Sequence, residues 1–201
     1  MTNSTRVVVF DVGGVLCWFR PQLRLQALSA ATGIDEATIL ESVWTSGLDA
    51  AGDAGELTLA ENLEAIRQAL GFGITDEEIF RAWSNAFPSN GAVAEIATTL
   101  RCRSASLSNN GPVVEECVRL GLIDLAPTIA PTLYAWRLKA RKPQRLAYDR
   151  AASSLQATAD ELLLVDDSLE NVTGALAAGW QAIHFTGAAQ LASDLAARSL
   201  R

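Results

Sequence analysis

No stretch of this sequence approaches the ~20 consecutive apolar residues that a bilayer-spanning helix requires, although hydrophobic residues fill 49% of its 201 positions. They fall in short runs broken by polar residues, so a membrane span is excluded and a packed core is expected, burying roughly 70% of the unfolded surface at this length. The opening residues, MTNSTR, have neither a basic start nor an apolar stretch. No secretory leader is expected, and a cytoplasmic location is the default expectation. Cysteine is scarce: Cys17, Cys102 and Cys117 are odd in number and lack short metal-type spacing, which speaks for reduced, mostly buried thiols and against a disulfide framework. His184 is the only histidine and is read as structural. Positive charge is in deficit, 16 Lys and Arg against 23 Asp and Glu for a net charge of -7. That balance argues against a nucleic-acid surface, and an anionic substrate would need a local cluster of cations. Internal repeats and low-complexity tracts are absent.

What is present is alternation. The run Arg6-Val7-Val8-Val9-Phe10, closed by Asp11 and the pair Gly13-Gly14, reads as a fully buried strand. From about 21 to 87 apolar residues recur at three to four positions (Leu25, Leu28, Ala31; Ile39, Val43, Trp44; Leu59, Leu63, Ile66, Leu70), the stripes of amphipathic helices. Thr75 with Glu78 makes a capping box, and Pro88-Ser89-Asn90-Gly91 reads as a linker or hinge. Beyond it strand and helix alternate: helix 92–100, strand 104–107, helix 112–120, a weak strand near 128–130, helix 143–155, the strand Leu162–Val165, a helix to about Ala178, a strand near 182–185 and a helical tail from 188. Strands separated by helices of this length predict an α/β fold, a parallel sheet covered on both faces, with the helical block inserted after the first strand.

In such a sheet ligands bind beyond the carboxyl ends of the strands. Four polar groups stand there: Asp11, Ser108-Asn109-Asn110-Gly111, Arg141-Lys142 and Asp166-Asp167. A hydroxyl, a lysine and three carboxylates suit a phosphoryl group with magnesium, since carboxylate oxygens hold a hard cation and lysine offsets phosphate charge. Pro112, as a first helical residue, leaves the amides of 109–111 free to face an anion. Plainer roles exist for each: Asp11 as a turn residue, Asp166-Asp167 as a helix cap, Ser108 as a turn hydroxyl, Lys142 as a surface lysine with Arg141 the true partner. Cys17 is read as core. Trp18 and Phe19 could wall a substrate pocket, and Arg20 and Arg24 could reach into it.

Taken in order, FDVGGVL, LSNN, RKP and VDDSLENVTGALAAG resemble the four motifs of the haloacid dehalogenase-like (HAD) hydrolase superfamily, and most resemble its phosphatase-like subgroup with an FDxGGV first motif. The resemblance implies a Rossmann-like core over 1–16 and 92–201 and a helical cap over 17–91. It implies a magnesium-dependent phosphatase for a small phosphomonoester, such as a sugar phosphate. Asp11 would be the nucleophile, Lys142 would hold it to the phosphate, and Ser108 and Asn109 would bind phosphoryl oxygens. Asp11, the Gly13 carbonyl, Asp166 and Asp167 would serve the metal, with Asn171 bracing the loop. Gly13 departs from the family pattern, which commonly has there a second aspartate as general acid and base, a loss typically worth 10²–10⁴-fold. Two other readings stay open: a dehalogenase-type hydrolase, and a phosphate-binding or partner-binding protein with little turnover.

Overall fold

The computed structural model describes residues 5–201, so residues 1–4 of the expected core segment lie outside the description. The chain opens with β1 (Val7–Phe10), then runs through α1 (Pro21–Thr32), α2 (Glu36–Ile39) continuing as one π-helical stretch (Leu40–Thr45), α3 (Leu48–Ala54), α4 (Leu59–Leu70), α5 (Asp76–Asn85) and α6 (Gly91–Thr98). It continues as β2 (Arg103–Ser108), α7 (Pro112–Arg119), β3 (Thr132–Tyr134), α8 (Ala135–Leu138), α9 (Arg145–Leu155), β4 (Leu162–Asp166), α10 (Leu169–Ala177), β5 (Gln181–His184) and α11 (Ala188–Ala197). All strand pairs are parallel and the order across the sheet is β3-β2-β1-β4-β5. This is the expected Rossmann-like α/β core. The chain builds away from β1 to β3, then crosses back to lay β4 on the other side of β1. Strand order thus reverses beside β1, the place where open α/β sheets hold ligands.

Because side chains alternate along a strand, β1 feeds two cores. Val8 and Phe10 pack with Leu163, Val165 and Ile183, under α6, α7 and α11. Val7 and Val9 pack with Leu107, Leu162 and Leu164, under Tyr148, Ala151 and Leu155 of α9. The first cluster runs on without a break into Leu28, Ile39, Val43, Ile66 and Trp83 of the helices between β1 and β2.

Local chemistry sets the helix ends. Pro21 starts α1, and Thr58 with Glu61 and Thr75 with Glu78 form full capping boxes at α4 and α5, each satisfying amides that no helical carbonyl can reach. The segments that leave and re-enter the sheet region run side by side: Trp18 and Arg20 donate backbone N–H to Pro88 and Ala86, both at 2.8 Å, and Asn90 donates to Leu16 at 2.9 Å. The Pro88–Gly91 linker is therefore one half of a paired two-chain connection.

One expectation needs correction. The strand placed near 128–130 lies instead at Thr132–Tyr134. Thr128 offers its carbonyl to the Ser104 hydroxyl at 2.7 Å, and Pro131, which has no N–H to give a ladder, accepts from Ser106 N at 3.0 Å before pairing begins at Thr132. Likewise the helix expected from 143 starts at Arg145. Among the described residues no helix is long and apolar enough to cross a membrane.

Candidate active site

Strand register brings the polar groups together. Phe10, the last residue of β1, lies opposite Ser106 on one side and Val165 on the other, so β4 ends one residue and β2 two residues farther on, and Asp11, Ser108 and Asp166 come to the same edge of the sheet. Asp11 is fixed at both ends: its backbone N–H donates to Val165 O at 2.9 Å, and its Oδ1 accepts from Val12 N at 2.7 Å.

Lys142 is the centre of the arrangement. Its Nζ lies 2.9 Å from Asp11 Oδ1 and 2.6 Å from Asp166 Oδ2, with the lysine side chain 1% exposed. Asn109 holds the lysine's backbone, accepting from Lys142 N at 2.8 Å and donating to Lys142 O at 2.9 Å. Arg141 points elsewhere, 4.0 Å from Asp53. Burial by itself would lower the Lys142 ammonium; the facing carboxylates of Asp11 and Asp166 outweigh it and raise it. Burial also pushes the Asp11 carboxyl up to about 6, Lys142 pulling it down and Asp166 pushing it up.

Asp166 is fully buried and fully engaged: besides Lys142 it accepts from Ser168 N at 2.9 Å and from Asn171 Nδ2 at 3.0 Å. Asn171 thus braces Asp166 directly. Asp167 is exposed and less committed, and desolvation with the neighbouring Asp166 charge raises its carboxyl. Oxygens of Asp11, Asp166 and Asp167 lie within 4.8 Å of one another, the one such acidic grouping among the described residues. Gly14 makes this possible: at φ +88° a Cβ there would sit 2.2 Å from Asp167 Oδ2. An all-oxygen donor set of crowded carboxylates, with no sulfur or imidazole, fits a hard divalent cation such as magnesium.

On the other flank Ser108 is buried and its Oγ accepts from Asn110 Nδ2 at 2.6 Å. Pro112 opens α7 with Gly111 before it, as expected. Gly13 faces Phe87 and Phe19 at 3.5–3.9 Å from the place a Cβ would occupy, so apolar rings stand where the family pattern puts an acid. Cys17 and Cys117 are buried, each pushed up to about 12 by burial, and neither is a nucleophile at neutral pH. His184 lies 3.1 Å from the Asp167 carbonyl, a contact consistent with a structural role. Of the two arginines singled out at the start of α1, Arg24 is buried and Arg20 exposed.

The sequence reading missed Asp53. From α3 it reaches across to the start of α7, where its Oδ1 would lie 2.9 Å from a Cβ on Gly111, and only glycine admits this approach. Nothing local marks it, because its partners Gly111 and Arg141 are remote in sequence. Burial, then Asp49, push its carboxyl up to about 8, against Arg141, Arg24 and the Gly111 N–H. The folded protein then keeps a proton that the unfolded chain, with the reference value of 3.8, releases. Its contribution makes stability fall as pH rises from about 4 to 8. Asp53→Asn, neutral throughout and still able to accept from Gly111, is expected to melt above the wild type at pH 8.5, the gap closing toward pH 4. Calorimetric melting curves that stay parallel across that range would rule this out.

Residues 139–199 match the HAD-hydrolase-like family. No protein of curated function matches the chain. Among solved structures, a HAD family enzyme from Bacteroides thetaiotaomicron, crystallised with magnesium and inorganic phosphate, superposes with a TM-score of 0.76 at 19% identity, covering 89% of this chain and 93% of that one. The L-2-haloacid dehalogenase from Xanthobacter autotrophicus, with chloropropionic acid covalently bound, superposes with a TM-score of 0.62 at 20% identity, covering 98% and 84%.

Proposed function

We propose that this chain, which has the fold of HAD enzymes and matches the HAD-hydrolase-like family over residues 139–199, is a magnesium-dependent phosphatase acting on a small phosphomonoester in the cytoplasm, its 17–91 segment serving as a cap that limits water at the site. The observation that carries the reading is the Asp11–Lys142–Asp166 chain at the strand-reversal point, with Asp167 and the Ser108 loop beside it. Asp11, Asp167 and the Gly13 carbonyl would hold the cation, with Asp166 behind them. When bound, magnesium supplies charge neutralisation between carboxylate and phosphate.

The chain's own residues account for the rest. Lys142 keeps Asp11 turned outward and counters phosphate charge. Ser108 through its hydroxyl and Asn109 through its backbone N–H, its side chain being held on the Lys142 backbone, offer donors to the phosphoryl oxygens. The free Asp11 oxygen bonds to phosphorus as the ester P–O bond breaks, and the leaving oxygen takes the electron pair and then a proton from solvent. Water attacks the aspartyl phosphate, inorganic phosphate leaves, and the Asp11 carboxylate is restored.

Phosphate release from 4-nitrophenyl phosphate, measured with magnesium and again with EDTA, tests this. Release that stops with EDTA is expected. Halide release from 2-chloropropionate that persists in EDTA would replace it with the dehalogenase reading, and phosphate binding without either activity would replace it with a binding role. The cluster of three carboxylates speaks against halide chemistry, which needs no cation.

A further inference from the structure

Beside the reaction centre, Phe19, Pro21, Arg24, Leu25, Leu40 and Trp44 line a cavity of about 240 Å³. Phe19 joins the two places: its Cβ lies 3.8 Å from where a Gly13 Cβ would be, and its ring packs tilted against Phe87, centroids 5.4 Å apart. A cavity of ~150 Å³ already takes a benzene ring, so this one has room for a ring with a substituent. Its walls are almost wholly apolar and offer few partners to a polyhydroxylated group.

The exception is Arg24. Its side chain is 5% exposed and its guanidinium lies 5.0–5.6 Å from the ring centres of Trp44, Trp83 and Phe87. Its Nε has no hydrogen-bond partner, although buried donors are nearly always satisfied. Asp49 is its nearest carboxylate, yet stands 4.0 Å away and accepts instead from Trp44 Nε1 at 2.9 Å. Asp53, the other aspartate acting on Arg24, stands 4.0 Å from Arg141 instead, and burial raises its carboxyl. Arg24 is thus left with a buried donor that neither acid takes up.

We propose that this cavity receives the leaving group of the substrate, an aromatic ring bearing a carboxylate or carbonyl oxygen that Arg24 binds. The inference rests on the phosphatase reading and narrows it to aryl phosphates. Gly13 supports the same class. With no acid beside the leaving oxygen, an alkyl alcohol, close to water at about 15.7, departs poorly. A phenol, near the tyrosine value of about 10, leaves without a proton. The rings that replace the acid also build the wall the aromatic group packs on.

The probes are 4-carboxyphenyl phosphate, glycerol 1-phosphate and the product 4-hydroxybenzoate. Wild type is expected to prefer the aryl ester by at least ~100-fold in kcat/KM, a scale set by the missing acid. Leu40→Trp, at a half-exposed wall position, narrows the cavity, and Arg24→Met removes the donor; each is expected to reduce that ratio at least ~10-fold, mainly through KM for the aryl ester. A ratio unmoved in Leu40→Trp overturns the proposal even if Arg24→Met fails to fold. If no ester is hydrolysed, the phosphatase reading fails separately and calorimetric binding of 4-hydroxybenzoate decides the cavity. Binding weakened at least ~10-fold by Leu40→Trp supports the ligand site; no binding by the wild type overturns it.

Discussion

Asp11→Asn is expected to reduce phosphate release by about 10⁴-fold or more while leaving the fold intact. The amide has the size and shape of the carboxylate and can still accept the Val12 N–H that Oδ1 accepts now at 2.7 Å. It is a far poorer nucleophile, and removal of a covalent nucleophile costs several orders of magnitude because no neighbour can form the intermediate in its place. Lys142 would retain Asp166 at 2.6 Å, so the site would not collapse, and circular dichroism and the melting temperature should change little. Acid-quenched wild type incubated with substrate should carry acid-stable, hydroxylamine-sensitive phosphate, and the variant none. A variant with wild-type turnover would remove Asp11 from the chemistry and with it the proposed mechanism.

Lys142→Met should have the largest effect on stability. The ammonium is sandwiched between Asp11 and Asp166, and methionine fills much of its volume but supplies no charge. Two buried carboxylates would then face one another unpaired. Breaking a buried pair from one side costs roughly 3–5 kcal/mol, which for a chain of this length lowers Tm by on the order of 10 °C. The sign with pH is fixed by what is left behind: without the lysine both carboxyls would bind protons more tightly in the folded than in the unfolded state. The deficit relative to wild type should therefore grow from pH 5 to pH 8. Magnesium should restore part of it if the acidic grouping is a cation site, through preferential binding to the folded state. A melting deficit of the same size at both pH values would mean that lost packing, and not charge, explains the change.

Both predictions concern residues that sequence alone picks out, and the reason is local. Asp11 ends a β-branched run and meets two glycines; Asp166 ends LLLV; Ser108 ends β2 just before Asn-Asn-Gly-Pro, and Lys142 lies in a loop beside Pro143. The strand expected near 128–130 lies at Thr132–Tyr134, because both tripeptides carry strand-favouring residues and local preference does not separate them by position. Ladder pairing with β2, which begins only past Pro131, chose between them.

By itself the sequence determined the parallel α/β architecture, the inserted helices, the three polar strand ends and the Arg141-Lys142 loop, because periodicity, capping and strand termination are written within a few neighbouring residues. Only the tertiary structure decided that Lys142, and not Arg141, joins Asp11 to Asp166, that Asp53 reaches Gly111, and that Arg24 is buried among three rings with an unpaired Nε. Those facts depend on distances between segments far apart along the chain and on how much water each charge retains. A carboxylate or guanidinium acquires its role from the partners and the burial that packing gives it, and neither is encoded in its immediate neighbours.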